Sequence, residues 1–129
     1  DLLINDGFKI LVFAGPQEKE LEEEISSHNK KIISTGTTNS IDNFFALLNL
    51  TDILITGDTM GLHAGLGLDK KIIALFGPTS QDEIEMYDQG IKLSPKLDCL
   101  CCYRTDCNKK CISNLSEKEV YKNIKRLIK

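Results

Sequence analysis

Short apolar runs, each too brief for a helix and each closed by glycine or proline, constrain this chain more than any other feature. "FKILVFAG" lies between Gly7 and Gly15-Pro16, "DILIT" ends at Gly57, and "KIIALF" stops at Gly77-Pro78. Continuous apolar runs of this length read as strands, "FKILVFAG" as one buried on both faces. Between them lie stretches with helical spacing. "EKELEEEISSHN" sets Leu21 and Ile25 four apart on an inner face, and "SIDNFFALLNL" offers Ser40 as N-cap with Ile41, Phe44, Phe45 and Leu48 turned inward. "MGLHAGLGL" and a short piece of "QDEIEMYD" are the remaining helical segments, and "KKIIST" and "IKL" are weaker strands. Strands alternating with helices predict an α/β fold, a Rossmann-like doubly wound parallel sheet covered on both faces.

With 129 residues the chain has the size of one domain and one core. Hydrophobic content of 41% and charged content of 27% are ordinary for a globular protein. A net charge of -3 excludes general nucleic-acid binding, which needs a dense basic surface. The basic patch "KEVYKNIKRLIK" is expected to be a helix with a solvated cationic end; peripheral contact with the inner face of a membrane is the alternative. No apolar run approaches a membrane span and no signal peptide precedes the first strand, so the expected location is cytoplasmic. The opening "DLLINDG" looks like the end of a helix with Gly7 as C-cap, as if the chain were a fragment truncated at its N-terminus.

In an open parallel sheet, ligands collect beyond the carboxyl ends of the strands. Asp58 follows directly on "ILITG", and a helix starts at Thr59 or Met60. Its first-turn amides and partial positive charge suit a phosphate or diphosphate, with Gly57 and Gly61 allowing close approach. The plain reading is that Asp58 or Thr59 is only an N-cap, contributing about 1 kcal/mol, and that His63 is structural. Spacing alone leaves the two readings open.

"TDILITGDTMGLHAGLGLDKKIIALFGPTS" resembles the signature of glycosyltransferase family 9, the heptosyltransferases of lipopolysaccharide synthesis and their relatives. "ILVFAGPQEKE", "ISTGTTNSIDNFFALL" and "CLCCYRTDCNKKCISNLSEKEV" are similar, in order, to three further segments of that family. The resemblance implies the C-terminal, donor-binding half of a GT-B fold over residues 1–129, with a cysteine-rich loop at 98–112 and a terminal helix at 116–129. It implies an inverting, metal-independent transferase that moves a heptose-like sugar from a nucleotide diphosphate, ADP-linked as is usual in the family, to a lipopolysaccharide or other surface glycan. Asp58, Thr59, Met60 and Gly61 would hold the diphosphate, with His63 nearby. Glu18, or failing it Glu20, would take the ribose hydroxyls, with Gly15, Gly36 and Thr38 around the nucleoside. Gly77, Pro78 and Thr79 would form the cleft wall. Met60 departs from the family's usual Asp-Thr-Gly, which puts the donor's identity in question.

The resemblance also implies what is missing. The acceptor site and the general base belong to an N-terminal domain, so no catalytic residue is expected here and the isolated chain should be inactive. In the doubly wound order a further strand lies between "KILVF" and "DILIT". Without it two sheet edges are unpaired, and the chain is expected to rearrange or to form a homo-oligomer through them.

Cys99, Cys102, Cys107 and Cys111 are spaced C-x2-C-x4-C-x3-C, with Cys101 as a fifth thiol. A structural zinc held by four thiolates, disulfides and free thiols all remain open; the resemblance requires no cofactor for transfer. Two other functions compete. One is a metal-braced interaction domain without catalysis. The other is part of a GT-B nucleotide-sugar epimerase, for which two histidines are few.

Overall fold

The computed structural model describes residues 1–104, 106–108 and 110–129. It divides into two compact units, Asp1–Leu50 and Thr51–Lys129.

The first unit opens with α1 (Leu2–Asn5), followed by β1 (Ile10–Val12), α2 (Lys19–His28), β2 (Ile32–Ser34) and α3 (Ile41–Asn49). The expected helix end is present. Gly7, at φ +89°, lets its own amide reach the Ile4 carbonyl (3.1 Å) and that of Phe8 reach Leu3 (3.0 Å), the paired bonds of a Schellman cap. β1 and β2 are parallel, with Ile10 opposite Ile32 and Val12 opposite Ser34. Beyond the register, the Thr35 hydroxyl and amide both donate to the Val12 carbonyl, at 2.8 and 3.1 Å. Ile4 and Leu48 are buried, and Phe13 meets Phe44 edge-on at 5.6 Å.

Three sequence expectations fail in this unit. β1 is half-buried along its length instead of buried on both faces, since its sheet has two strands only. Of the four apolar residues assigned inward on α3, Leu48 is buried and Phe44 half-buried, whereas Ile41 and Phe45 are exposed. Positions 41/45 and 44/48 form two adjacent stripes, and one stripe is all this unit covers. On α2 the assignment inverts: Leu21 and Ile25 are exposed and Glu22 is buried, with its Oε1 lacking a hydrogen-bond partner.

The second unit contains β3 (Ile53–Gly57), α4 (Met60–Gly67), β4 (Lys71–Leu75), β5 (Gly90–Leu93) and α5 (Glu117–Leu127), with short 3-10 turns at Gln81–Glu83 and Cys111–Asn114. Its sheet is parallel in the order β3-β4-β5. Central β4 carries the apolar load, with Ile72, Ile73 and Ala74 fully buried. Edge strand β3 is half-buried or exposed throughout.

Leu62, Ile72, Ala74, Phe76 and Met86 make the core, with Leu54, Leu66 and Ile84 packed against it. Two glycines allow that packing. A Cβ on Gly65 of α4 would lie 2.7 Å from Leu54 Cδ2, and one on Gly90 would overlap the Ile72 carbonyl oxygen. Helix α4 and the first residue of β5 therefore approach their neighbours at positions with no room for a side chain.

α5 packs on β4 and β5 through buried Ile124, and its acidic first turn and Lys125 and Arg126 in the last complement the helix dipole. Ser116 is the N-cap, but its Oγ accepts from the Lys118 amide (3.2 Å) while the Glu119 amide goes to the Ser116 carbonyl (3.0 Å). No described helix is long and apolar enough to cross a membrane.

Among the described residues the strands thus make two sheets, β1-β2 and β3-β4-β5, each parallel within itself, in which β1 and β3 are each an edge strand.

Candidate functional site

The register of the second sheet brings the principal candidates together. Gly57 pairs with Leu75, and Leu75 with Leu93, so the three strands finish level. Asp58 and Thr59 leave β3 at the same height as Phe76 and Gly77 leave β4, one strand spacing of about 4.8 Å away. The predicted diphosphate residues and the predicted wall therefore share one carboxyl edge.

The question of the cap is settled by geometry. Thr59 has extended backbone (φ -142°, ψ 174°), and its Oγ1 accepts from the Gly61 amide at 3.2 Å. Its carbonyl takes the Leu62 amide at 3.0 Å, and its hydroxyl lies 3.1 Å from that of Thr56. Thr59, not Asp58, is the N-cap of α4. Asp58 is half-buried one residue outside the helix, so its presence is not explained by capping. Met60 opens the helix 56% exposed, and His63, one turn on, is exposed as well.

Gly77 is buried beneath the cysteine loop. A Cβ there would lie 3.1 Å from both Cβ and Sγ of Cys111. The Cys101 amide donates to the Gly77 carbonyl (3.1 Å) and the Tyr103 amide to that of Pro78 (2.8 Å). The Cys101 thiol points at the Thr79 carbonyl at 3.8 Å. Beyond the wall, the Tyr103 hydroxyl donates to Glu83 Oε1 (2.7 Å) and accepts from the Ser80 amide (3.3 Å). That bond to the Glu83 carboxylate holds the phenol's pKa above its ordinary value. Sequence reasoning missed Tyr103 and Glu83, because a contact across twenty residues leaves no local signal.

The described residues of the loop do not assemble as a metal centre. None of the five cysteines is bonded in a disulfide, and no group of three or more His, Cys, Asp or Glu among the described residues could hold a metal ion. Of the three readings left open for Cys99, Cys102, Cys107 and Cys111, neither the four-thiolate cluster nor the disulfides are formed among the described residues. Two alternate residues of the loop, Cys101 and Tyr103, are instead committed through their amides to the carbonyls of Gly77 and Pro78. Arg104 grips Asp106 through Nε–Oδ1 (3.1 Å) and Nη2–Oδ2 (3.2 Å); the guanidinium lowers the Asp106 pKa, and the carboxylate raises that of Arg104.

The other candidates lie at the carboxyl edge of the first unit's own sheet. Glu18 bends back to accept the Gly15 amide on Oε2 at 2.8 Å, with Pro16–Glu18 as a 3-10 turn between them. Glu20 is exposed in the first turn of α2. Gly36 sits at φ +79°, its amide bonded to Ser34 Oγ (3.0 Å), and Asn39 ties the turn by donating to the carbonyls of Thr35 and Gly36 at 2.8 and 3.2 Å. Thr38 is exposed within that turn. Asn39 is the residue overlooked here.

A groove between β5 and α5, lined by Gln81, Gly90, Ile91, Lys92, Arg126 and Leu127, contains none of the candidates. Its Lys92 spends its ammonium on the carbonyls of Gln81 and Ile84, at 2.8 and 2.9 Å.

Residues 1–115 match the family model of glycosyltransferase family 9 (heptosyltransferase). The chain belongs to that family. Lipooligosaccharide heptosyltransferase 2 of Campylobacter jejuni serotype O:6 is 29% identical over 136 residues, which cover 98% of this family 9 chain and 43% of the relative. Lipopolysaccharide heptosyltransferase 2 of Salmonella typhimurium is 25% identical over 85 residues, 62% of this chain and 24% of the relative. The chain thus spans less than half the length of these relatives. Among solved structures, the ADP-heptose lipopolysaccharide heptosyltransferase II of E. coli superimposes with a TM-score of 0.79 at 16% identity, over 98% of this chain and 38% of that one. The E. coli heptosyltransferase WaaC with ADP gives 0.77 at 21%, over 98% and 36%. The fold is that of the C-terminal half of a GT-B enzyme, as the resemblance implied.

Proposed function

We propose that this family 9 chain is the donor-binding part of an inverting, metal-independent glycosyltransferase, which takes a heptose-like sugar from an ADP-linked donor and passes it to a lipopolysaccharide or similar surface glycan. The observation that carries the proposal is the level carboxyl edge of β3 and β4. There the N-terminus of α4 and the Gly77–Thr79 segment stand side by side in a chain whose structural relatives include a heptosyltransferase with ADP.

The chemistry divides the site. Carboxylate and phosphate oxygens are both acceptors at neutral pH, so Asp58 is a poor phosphate ligand. The diphosphate goes to the backbone amides of Thr59 and Met60 and to the positive end of α4, with Thr59 Oγ1 already holding the Gly61 amide. Asp58 accepts instead from hydroxyls of the donor sugar, and His63, exposed on the same helix, lies near the leaving group. The fixed dipoles would stabilise negative charge as the sugar departs. Glu18, or failing it Glu20, is the acceptor for ribose, with Gly15, Gly36 and Thr38 bordering the nucleoside. The base that deprotonates the acceptor hydroxyl is supplied from outside this chain, which by itself does not turn over. A cytoplasmic position, peripheral at the inner face of the membrane, follows from a glycolipid acceptor. Self-association through the edges of β1 and β3 completes the proposal.

Calorimetric titration with ADP, UDP and GDP tests it. Binding of ADP in preference to the others, abolished in Asp58→Ala when a heptose-bearing donor analogue replaces ADP, is the expected result. Equal indifference to all three nucleotides sinks the reading.

A further inference from the structure

The wall Gly77–Thr79 and the cysteine loop, distinct in the sequence, are one structure, and the residue that joins them is Tyr103. We propose that Tyr103 is a positioning residue for the donor diphosphate, acting by fixing the Gly77–Ser80 segment against the N-terminus of α4; this rests on the donor-binding reading of that edge.

The segment is held from two sides. From the loop, the amides of Cys101 and Tyr103 donate to the carbonyls of Gly77 and Pro78, and both residues adopt left-handed backbone (φ +57° and +53°) to do so. Such angles are unfavourable for side chains with a Cβ, and they persist where surrounding contacts over-determine them. From beyond, the Tyr103 hydroxyl uses both its capacities, accepting from the Ser80 amide and donating to Glu83 Oε1. One phenol oxygen therefore connects the end of the wall to the 3-10 turn that follows it. Retreat in the opposite direction is blocked, since Cys111 and Ile112 fill the space behind Gly77.

The consequence for a ligand follows from the register. With Gly57 opposite Leu75, the separation of Thr59–Met60 from Gly77–Ser80 is set by where the second segment is held. β3 and α4 are fixed by the core, whereas the wall is a loop, and its position depends on the clamp. Displacement of about an ångström is enough to misplace a bound diphosphate.

The test is an ADP titration of the 129-residue chain and its variants, with thermal melts in parallel. Tyr103→Phe keeps the ring and both backbone bonds and loses only the hydroxyl. It is expected to weaken ADP about tenfold while the melting temperature moves by less than about 4 °C. Glu83→Ala should show the same loss, Glu83→Gln should retain affinity because its amide oxygen still accepts, and the double variant should be no worse than either single one. A role in stability alone would move the melts and leave affinity untouched. Unchanged affinity in Tyr103→Phe, with wild-type ADP binding that is lost when Thr59 and Gly61 are replaced together by proline, overturns the positioning role and leaves the donor site standing. Absence of ADP binding by the wild-type chain, or binding indifferent to that double proline variant, removes the donor reading and this inference with it.

Discussion

A side chain at Gly90 would overlap the Ile72 carbonyl and come within 2.7 Å of Met86 Cε, whereas one at Gly67 would meet nothing within 4 Å. The two positions make a matched pair. Gly90→Ala is expected to cost about 3 kcal/mol in urea unfolding, because backbone must move, while Gly67→Ala should stabilise α4 by up to about 1 kcal/mol. Comparable effects at both sites would contradict the register of β4 and β5. The Arg104–Asp106 pair makes a second prediction at this scale. Asp106 has its pKa depressed by the guanidinium, so the pair persists at neutral pH and is lost as pH falls through that lowered value. In Arg104→Ala the carboxyl should titrate higher, back toward the ordinary carboxylate range, as followed by NMR of its side-chain carbon.

Strands and helices were legible where a run served a single purpose. β4 reads as a buried strand and is one; Ser40 reads as an N-cap, and its Oγ accepts the Asn43 amide at 3.2 Å. The apolar rule failed where a unit covers only part of what its helices offer. Leu21 and Ile25 looked inward on spacing, but the stripe that faces in carries Glu22 and Ser26, four apart on the neighbouring line. The candidate edge was readable because Asp58, Thr59 and Gly77 are fixed by local chemistry at strand ends. The clamp on it was not, since Tyr103 and Glu83 acquire their roles only when distant loops meet. Glu22 carries the prediction for α2. Burial leaves its Oε1 unpaired, so Glu22→Leu should raise the stability of the first unit by about 1 kcal/mol. A lower unfolding midpoint in that variant would show that the carboxylate has a partner in solution.

For the whole chain, the decisive fact is that the described strands hydrogen-bond as two separate sheets, each parallel within itself, leaving β3 at an edge with Ile55 41% exposed. Unpaired apolar edges template further pairing, and natural sheets commonly guard them with charge. β3 has no lysine or glutamate to do so. Light scattering is expected to show mass rising with concentration, and Ile55→Lys should shift the chain toward monomer; a wild-type chain that stays monomeric throughout would count against association by this edge. The contact between Cys111 and Gly77 has a further consequence, in the time domain. Cys101 is exposed, whereas Cys111 is half-covered and pressed against the wall. A maleimide should therefore label Cys101 at the speed of a free thiol but reach Cys111 only as fast as the loop lifts away, so the lag between the two adducts clocks the breathing of the cleft.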